Sequence, residues 1–353
     1  MGYKMNKKII YPVTIEKLEK VKGDYIILQG GRSTGKSYSV KYKMLRDAFA
    51  SIVDGVCSCR FIYLRRYTDE AKDVFSQSYF EDIDINVLTN CMYNAVIVYR
   101  HEIYFGNIDT EGNATRAVLI GRVCALSNQG KYKSQVFKDY KYIVFEEFIN
   151  DMYITNEPTK LFNFASTVFR NDKGVCYMIG NLISRYNPYF REWELTNALA
   201  QDIDTIDTYK VDNVIVKCWK CPNGISNKMV FGHAKKAVDG VEYETKQQPH
   251  LQCDREECQL IYTVVLEHDG FKYLCEFLRH NNNMFWFIQP KTSDIQARTR
   301  VISKTFNPNP LYTRTFEGLT PAEASAFRML KNGKVCFSDN LTGTEFSHII
   351  NEY

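Results

Sequence analysis

The sequence predicts an α/β protein in which a first domain with a mostly parallel sheet is followed by a smaller α+β domain. Three observations lead there. Up to about residue 190, short apolar runs rich in β-branched and aromatic residues alternate with stretches able to form helices, the pattern of strands joined by crossovers. A glycine-rich turn, 30-GGRSTGKS-37, separates one such run from a helical stretch. Beyond Ile203 the runs shorten and lead into an antiparallel meander. At 353 residues the chain is longer than a single core comfortably supports, since cores stop growing near about 250–300 residues. The expected division is a first domain over 1–205, a linker region over 206–245 and a second domain over 246–353.

The elements follow in order. YIILQ (25–29) reads as a short buried strand, and KSYSVKYKMLRDAF (36–49) as the helix after the glycine turn. RFIYLRR (60–66), NAVIVYR (94–100), VLIGRVCAL (118–126), KYIVFEEF (141–148) and VCYMIGN (175–181) supply further strands. The segment 259–289 reads as three antiparallel strands, with turns at His268-Asp269-Gly270 and Asn281-Asn282-Asn283. A last helix opens at Thr320-Pro321-Ala322-Glu323, a capping-box spacing with proline at the first helical position, and closes near Asn332-Gly333.

Composition narrows the class. With 45% hydrophobic and 24% charged residues the chain is ordinary for a folded globular protein, and no window has the roughly 18 uninterrupted apolar residues of a membrane span. The basic N-terminus lacks an apolar core of signal-peptide length, so a cytosolic rather than secreted protein is expected. Eleven scattered cysteines are an odd set, which argues for reduced thiols. The net charge of +4 announces no partner, but Lys291–Lys334 holds eight Lys/Arg against three Asp/Glu. That excess is either a solvated basic face or a surface for a phosphate backbone.

Gly30-Gly31-Arg32-Ser33-Thr34-Gly35-Lys36-Ser37 fits the P-loop, G-x-x-x-x-G-K-[ST]. Its backbone N–H groups can curl round the β- and γ-phosphates, Lys36 neutralises charge there, and Ser37 offers a hydroxyl to Mg²⁺. A second site for magnesium and an attacking water is needed, and YIVFEE (142–147) resembles a Walker B strand. Glu146 can sit near the metal while Glu147 orients or deprotonates water. The second acid favours hydrolysis over transfer to a small molecule, and the Asn227-Lys228 pair lacks the aspartate that reads guanine. Arg170 in STVFRN and Asn181 at a strand tip suit the γ-phosphate, though each also fits an ordinary surface position.

Behind the P-loop, RFIYLRRY (60–67), IVFEEFI (143–149), TVFRN (167–171) and GN…NPYF (180–190) together resemble the DNA-encapsidation ATPases of Picovirinae-type podophages, compact relatives of the terminase large subunits. The resemblance covers about residues 25–190. It implies an ASCE-type P-loop ATPase domain, then an RNase H-like, nuclease-derived domain, and a motor that uses ATP and Mg²⁺ to drive double-stranded DNA into a procapsid. It further implies a ring, five-fold in this group, docked on the portal in the host cytoplasm, with a structural packaging RNA as a possible partner and no membrane. Carried over by motif, Lys36 and Ser37 bind phosphate and magnesium, Glu146 is the magnesium-side acid and Glu147 the catalytic base. Arg170 becomes a trans-acting arginine finger, Asn181 couples γ-phosphate state to motion, and Lys133 is a second basic group reaching a neighbouring site. Arg32 becomes a cis phosphate contact. Two departures stand out: Glu146 is one methylene longer than the usual aspartate, and Thr68 replaces a basic residue in RRYT, leaving Arg65 and Arg66 as weaker phosphate candidates. Rival readings are a terminase that also cuts DNA and a P-loop protein acting on a small molecule or an assembly.

For the second domain, a nuclease would need several convergent acids, and the meander offers only Glu267, Asp269 and Glu276. A fold that has lost cleavage is therefore expected, left to grip nucleic acid. Cys218-x-x-Cys221 and Cys253-x₄-Cys258 invite a zinc-ribbon reading, but the second spacing is loose and no zinc site is assigned on it.

Overall fold

The computed structural model describes residues 11–150, 153–170, 173–182, 187–195, 198, 201–224, 248–268, 271–291, 299–304, 307–314 and 319–350. The chain divides into two units, Met1–Glu244 and Thr245–Tyr353. Among the described residues no helix is long and apolar enough to cross a membrane.

The strands of the first unit are β1 (Tyr25–Gly30), β2 (Arg60–Arg65), β3 (Ala95–Tyr99), β4 (Glu102–Ile108), β5 (Ala114–Ala125), β6 (Tyr140–Glu146), β7 (Val175–Asn181), β8 (Thr205–Val211) and β9 (Val214–Lys220). They form one sheet in the order β8-β9-β1-β7-β6-β2-β5-β4-β3. The central strands β9, β1, β7, β6, β2 and β5 are mutually parallel, and the two margins are antiparallel hairpins. Parallel strands are covered on both faces, which is why β1 and β6 read as apolar runs rather than alternations. Helix α1 (Lys36–Ala50) packs Val40, Met44 and Leu45 on one face with Ile26 and Leu28. Helix α2 (Glu157–Val168) packs Leu161, Phe164 and Val168 on the other with Ile27, Phe145 and Trp193.

Parallel pairing brings the C-terminal ends of β1, β2, β6 and β7 to one edge. In register, Gly30 lies opposite Asn181, and Glu146 opposite Ile179 two residues before that asparagine. The functional residues predicted at strand ends are therefore neighbours by hydrogen-bond ladder.

Two features differ from the sequence-based expectation. Residues 206–220, expected to begin a linker, form β8 and β9 of the first sheet, with Tyr25 opposite Val216 and Thr205 opposite Lys220. Their polar alternation is that of a strand pair at a sheet margin, while Cys218 and Trp219 are buried against the core. Strand β4 was also not expected; Gly106 and Asn107 interrupt its apolar pattern, yet it pairs on both sides. The remainder of the expected linker, with Asn227-Lys228, lies largely outside the described residues.

In the second unit β10 (Gln259–His268), β11 (Phe271–His280) and β12 (Asn283–Pro290) form the meander. β13 (Arg300–Ser303), β14 (Tyr312–Thr313) and β15 (Val335–Phe337) complete a sheet of order β14-β13-β10-β11-β12-β15. Asp269, Gly270 and Arg298 lie outside the described residues. Helix α3 (Pro321–Lys331) has the full capping box, Thr320 accepting from the Glu323 N–H while the Glu323 carboxylate accepts from Thr320 N at 2.7 Å. Trp286 pins this helix to the meander: its indole N–H donates to Ala326 O at 2.7 Å and its ring stacks on Phe327 at 5.0 Å.

Trp286→Ala is expected to destabilise the second unit by about 3–5 kcal/mol, the usual cost of deleting a buried Trp. Hydrogen exchange along β11 and β12 measures it, and protection equal to wild type would show that the indole is not the pin.

Candidate active site

The glycine turn is shaped by what surrounds it. Gly35, the residue before α1, has φ +87°, and a Cβ there would come within 2.4 Å of Tyr11 Cβ, so only glycine fits. Lys36 is buried and folds back on the turn, donating from Nζ to Gly31 O (2.5 Å), Gly30 O (3.2 Å), Thr34 Oγ1 (3.2 Å) and Asn181 Oδ1 (3.3 Å). Burial pushes its pKa below the usual lysine range, opposed by Cys221 and Glu146. An ammonium satisfied only by neutral oxygens in a buried site is poised for an anion.

Across β7, the Glu146 carboxylate is buried and accepts from Ser37 Oγ at 3.1 Å and from Tyr79 OH at 2.8 Å. Burial raises its pKa, while the Tyr79 and Ser37 hydrogen bonds and Arg65 oppose the shift. The extra methylene of glutamate does not take it out of reach. Ser37 Oγ and Glu146 Oε2 are about as far apart as adjacent oxygens around a magnesium ion bound at roughly 2.0–2.1 Å, and the donor set is all oxygen, so the residues fit that ion.

Glu147 leaves the strand in the left-handed region, φ +58°, and its half-exposed carboxylate accepts from Arg65 Nη2 at 2.9 Å. Behind it, Arg66 is buried and donates from Nη1 to Glu147 O (3.0 Å) and from Nη2 to Phe148 O (2.9 Å). The same guanidinium forms a two-pronged pair with Glu157, at 2.8 and 2.9 Å, and Glu157 also accepts from Tyr189 OH (2.8 Å) and Ile154 N (2.9 Å). Arg66 is thus no phosphate ligand, correcting the expectation; its guanidinium is turned inward onto the acid turn and Glu157. Arg65, also shared with Glu70 at 3.3 Å, faces the acids rather than the glycine turn.

Two cavities meet at Ser37. One, about 270 Å³, is lined by Arg32, Ser33, Thr34, Lys36, Ser37 and Asn181 together with Tyr11 and Tyr38. The other, about 590 Å³, is bounded by Lys41, Arg65, Tyr79, Asp82, Glu146 and Glu147. Tyr11 and Tyr38, ring centroids 5.6 Å apart, give the first cavity an aromatic wall that no motif announces; Tyr79 is equally silent in the sequence.

Lys36, Ser37, Glu146, Glu147 and Asn181 are brought together, and exposed Arg32 lines the same cavity. Arg170 and Lys133 are not among them. Arg170 follows α2, which starts beyond the strand end of the acids and runs twelve residues, roughly 18 Å at 1.5 Å per residue. There its Nη2 lies 3.4 Å from Lys133 O, and both residues are exposed.

Because the folded-state pKa of Glu146 is raised, the native chain holds a proton the unfolded chain releases. That stability is full below the unfolded carboxylate pKa and is lost as pH rises through the folded one. Glu146→Gln is therefore expected to raise the melting temperature of the nucleotide-free chain at neutral pH and to flatten its pH dependence above pH 4. A thermal-shift series checks this, and unchanged pH dependence would contradict it.

The family described as Podovirus DNA encapsidation protein (Gp16) matches residues 5–247. The DNA packaging proteins of Bacillus phage PZA and Bacillus phage phi29 are each 30% identical to this chain over 224 residues, 61% of this chain and 58% of theirs. The match thus spans less than two-thirds of the length of those relatives. A solved structure of the bacteriophage Phi-29 viral genome packaging motor assembly has the same fold, with a TM-score of 0.58 at 22% identity over 96% of this chain and 97% of that one.

Proposed function

The chain belongs to the podovirus DNA encapsidation protein family, and from that membership we propose that it is an ATP-driven motor moving double-stranded DNA through a portal into a procapsid. The observation that carries this reading is the convergence of Lys36, Ser37, Glu146, Glu147 and Asn181 on one edge of a parallel sheet. Strand β7 lies between β1 and β6, the insertion the ASCE reading calls for.

When bound, ATP and magnesium supply a phosphoryl group activated for transfer to water. Lys36 would exchange its carbonyl partners for phosphate oxygens, and Ser37 with Glu146 would hold the metal. Arg32 touches phosphate from the exposed side of the turn. Asn181, hydrogen-bonded to Lys36, relays the loss of the γ-phosphate into β7. Glu147 accepts the proton of the attacking water. Arg65, which donates to a Glu147 oxygen at 2.9 Å, has to turn away for that oxygen to face the water. Arg170, with Lys133, completes the site of a neighbouring subunit in a ring, five-fold by family resemblance; its exposure and its distance from its own glycine turn support this role.

The second unit is read as RNase H-like. A meander extended beside its first strand by two parallel strands suits that fold. Of the acids expected for cleavage, Glu276 is engaged by Arg255 at 2.7 Å and by Gln289 at 3.1 Å, which supports a domain that grips DNA, or a packaging RNA, without cutting it. The motor works in the host cytoplasm, docked transiently on the procapsid.

ATPase activity stimulated by double-stranded DNA is expected in the wild-type chain and a loss of about 10²-fold or more in Lys36→Ala and Glu147→Gln. Absence of DNA stimulation sinks the motor reading. Mixing Arg170→Ala with Glu147→Gln protein tests the subunit assignment: hydrolysis recovered at intermediate ratios is expected for a group acting in trans. None at any ratio would return Arg170 to a cis or structural role.

A further inference from the structure

A cluster in the second unit has no part in the nucleotide site. The loop before β10 carries Cys253, a single 3₁₀ turn at Arg255–Glu257, and Cys258. The β10–β11 ladder pairs Gln259 with Arg279, so extending it by one residue sets Cys258 opposite His280. The Cys253 and Cys258 Sγ atoms are 3.5 Å apart. A carboxylate oxygen of Glu257 and Nε2 of His280 are 3.7 Å apart, and Cys253 Sγ lies within 4.8 Å of ligand atoms of both; Cys258 Sγ adjoins this trio through Cys253 and would have to swing inward to complete it.

Those spacings have a chemical meaning. A sulfur separation of 3.5 Å is far beyond a covalent bond of about 2.05 Å. It is close to the edge of a tetrahedron whose metal–sulfur bonds are about 2.3 Å, roughly 3.8 Å. The Nε2–carboxylate separation likewise approaches the roughly 3.4 Å edge set by bonds of about 2.0–2.1 Å. Two soft thiolates and a borderline imidazole dominate the donor set over the single hard carboxylate, which suits zinc rather than magnesium or calcium. The loop is held ready without any metal: the Arg255 guanidinium is bidentate to Glu276 at 2.7 and 3.1 Å and donates to Cys258 O at 3.3 Å. Leu251, Leu278, Phe285 and Phe287 pack around the two thiols, giving the sulfur side of the cluster an apolar wall while Glu257 faces solvent.

We propose that Cys253, Cys258, Glu257 and His280 form a zinc site that clasps the 251–258 loop to the open end of the β10–β11 hairpin. Cys218 and Cys221, the other pair suggested by spacing, take no part. In the first unit Cys218 Sγ accepts from Gln29 at 3.3 Å, and Cys221 donates to Trp219 O at 3.7 Å and packs against Gly30. On binding, the two cysteine thiols give up their protons to solvent, His280 binds as the neutral ring, and the carboxylate of Glu257 becomes the fourth donor.

Cobalt(II) added alone to the reduced full-length chain tests this directly. One equivalent is expected to produce a thiolate-to-metal charge-transfer band with tetrahedral d–d absorption, bleached by one equivalent of zinc. Cys253→Ser and Cys258→Ser should abolish the band, His280→Gln should weaken binding by about tenfold or more, and Cys91→Ser, at an exposed thiol of the first unit, should change nothing. A reduced wild-type chain that gives no band overturns the proposal, as does a band untouched by Cys253→Ser. So does an intact mass short by the two hydrogens of a Cys253–Cys258 disulfide in chain purified with zinc present.

Discussion

The candidate site depends on a buried ion pair that lies behind it and meets it only through backbone carbonyls. Arg66 and Glu157 are almost completely removed from water, and burying two such charges is expensive unless every donor and lone pair is used. Here they nearly are. The guanidinium takes both Glu157 oxygens and the carbonyls of Glu147 and Phe148, and Glu157 takes the Tyr189 hydroxyl and the Ile154 amide. Glu147, the residue with the most exacting position in the proposed chemistry, sits in a backbone conformation that L-residues adopt reluctantly. The clamp is what holds it there. Removing one partner of such a pair leaves the other charged in the core, a cost of about 3–5 kcal/mol.

The two acids illustrate how adjacent identical residues acquire different chemistry. Glu146 is the last residue of a central strand and points into a buried space, where two hydroxyls hold it. Glu147, one step past the strand, is half exposed and faces a guanidinium. Strand alternation combined with a left-handed turn separates the oxygen donor proposed for the metal from the proposed proton acceptor. The same division of labour would be lost if the turn relaxed into an extended path.

Much of this was legible in the sequence, and the reasons for success and failure are physical. The glycine turn, the paired acids and the tip asparagine are local patterns bounded by apolar runs, so their placement at strand ends followed from hydrophobic periodicity. The capping box at Thr320 is a four-residue signal and its helix begins where expected. Arg66 was not legible. In the sequence it is indistinguishable from Arg65, because what separates them is a carboxylate 91 residues away. Tyr11 escaped for a related reason: it reaches the glycine turn by tertiary packing, against the one face where Gly35 has no side chain. Strands β8 and β9 read as linker in the sequence because a sheet margin tolerates the threonines, aspartates and lysines that a central strand excludes.

The position of β7 between β1 and β6 has a further consequence. With neighbouring strands about 4.8 Å apart, the glycine turn and the acid pair are separated by two ladder spacings, just under 10 Å. That gap is ruled by backbone hydrogen bonds, which are stiff, and not by side chains, which are adjustable. Gly180 lets β7 lie so close to the acid turn that a methyl group there would strike Ile149 and Phe148. The middle strand therefore acts as a spacer of fixed width, which sets the distance between the glycine turn and the acid pair through backbone pairing alone.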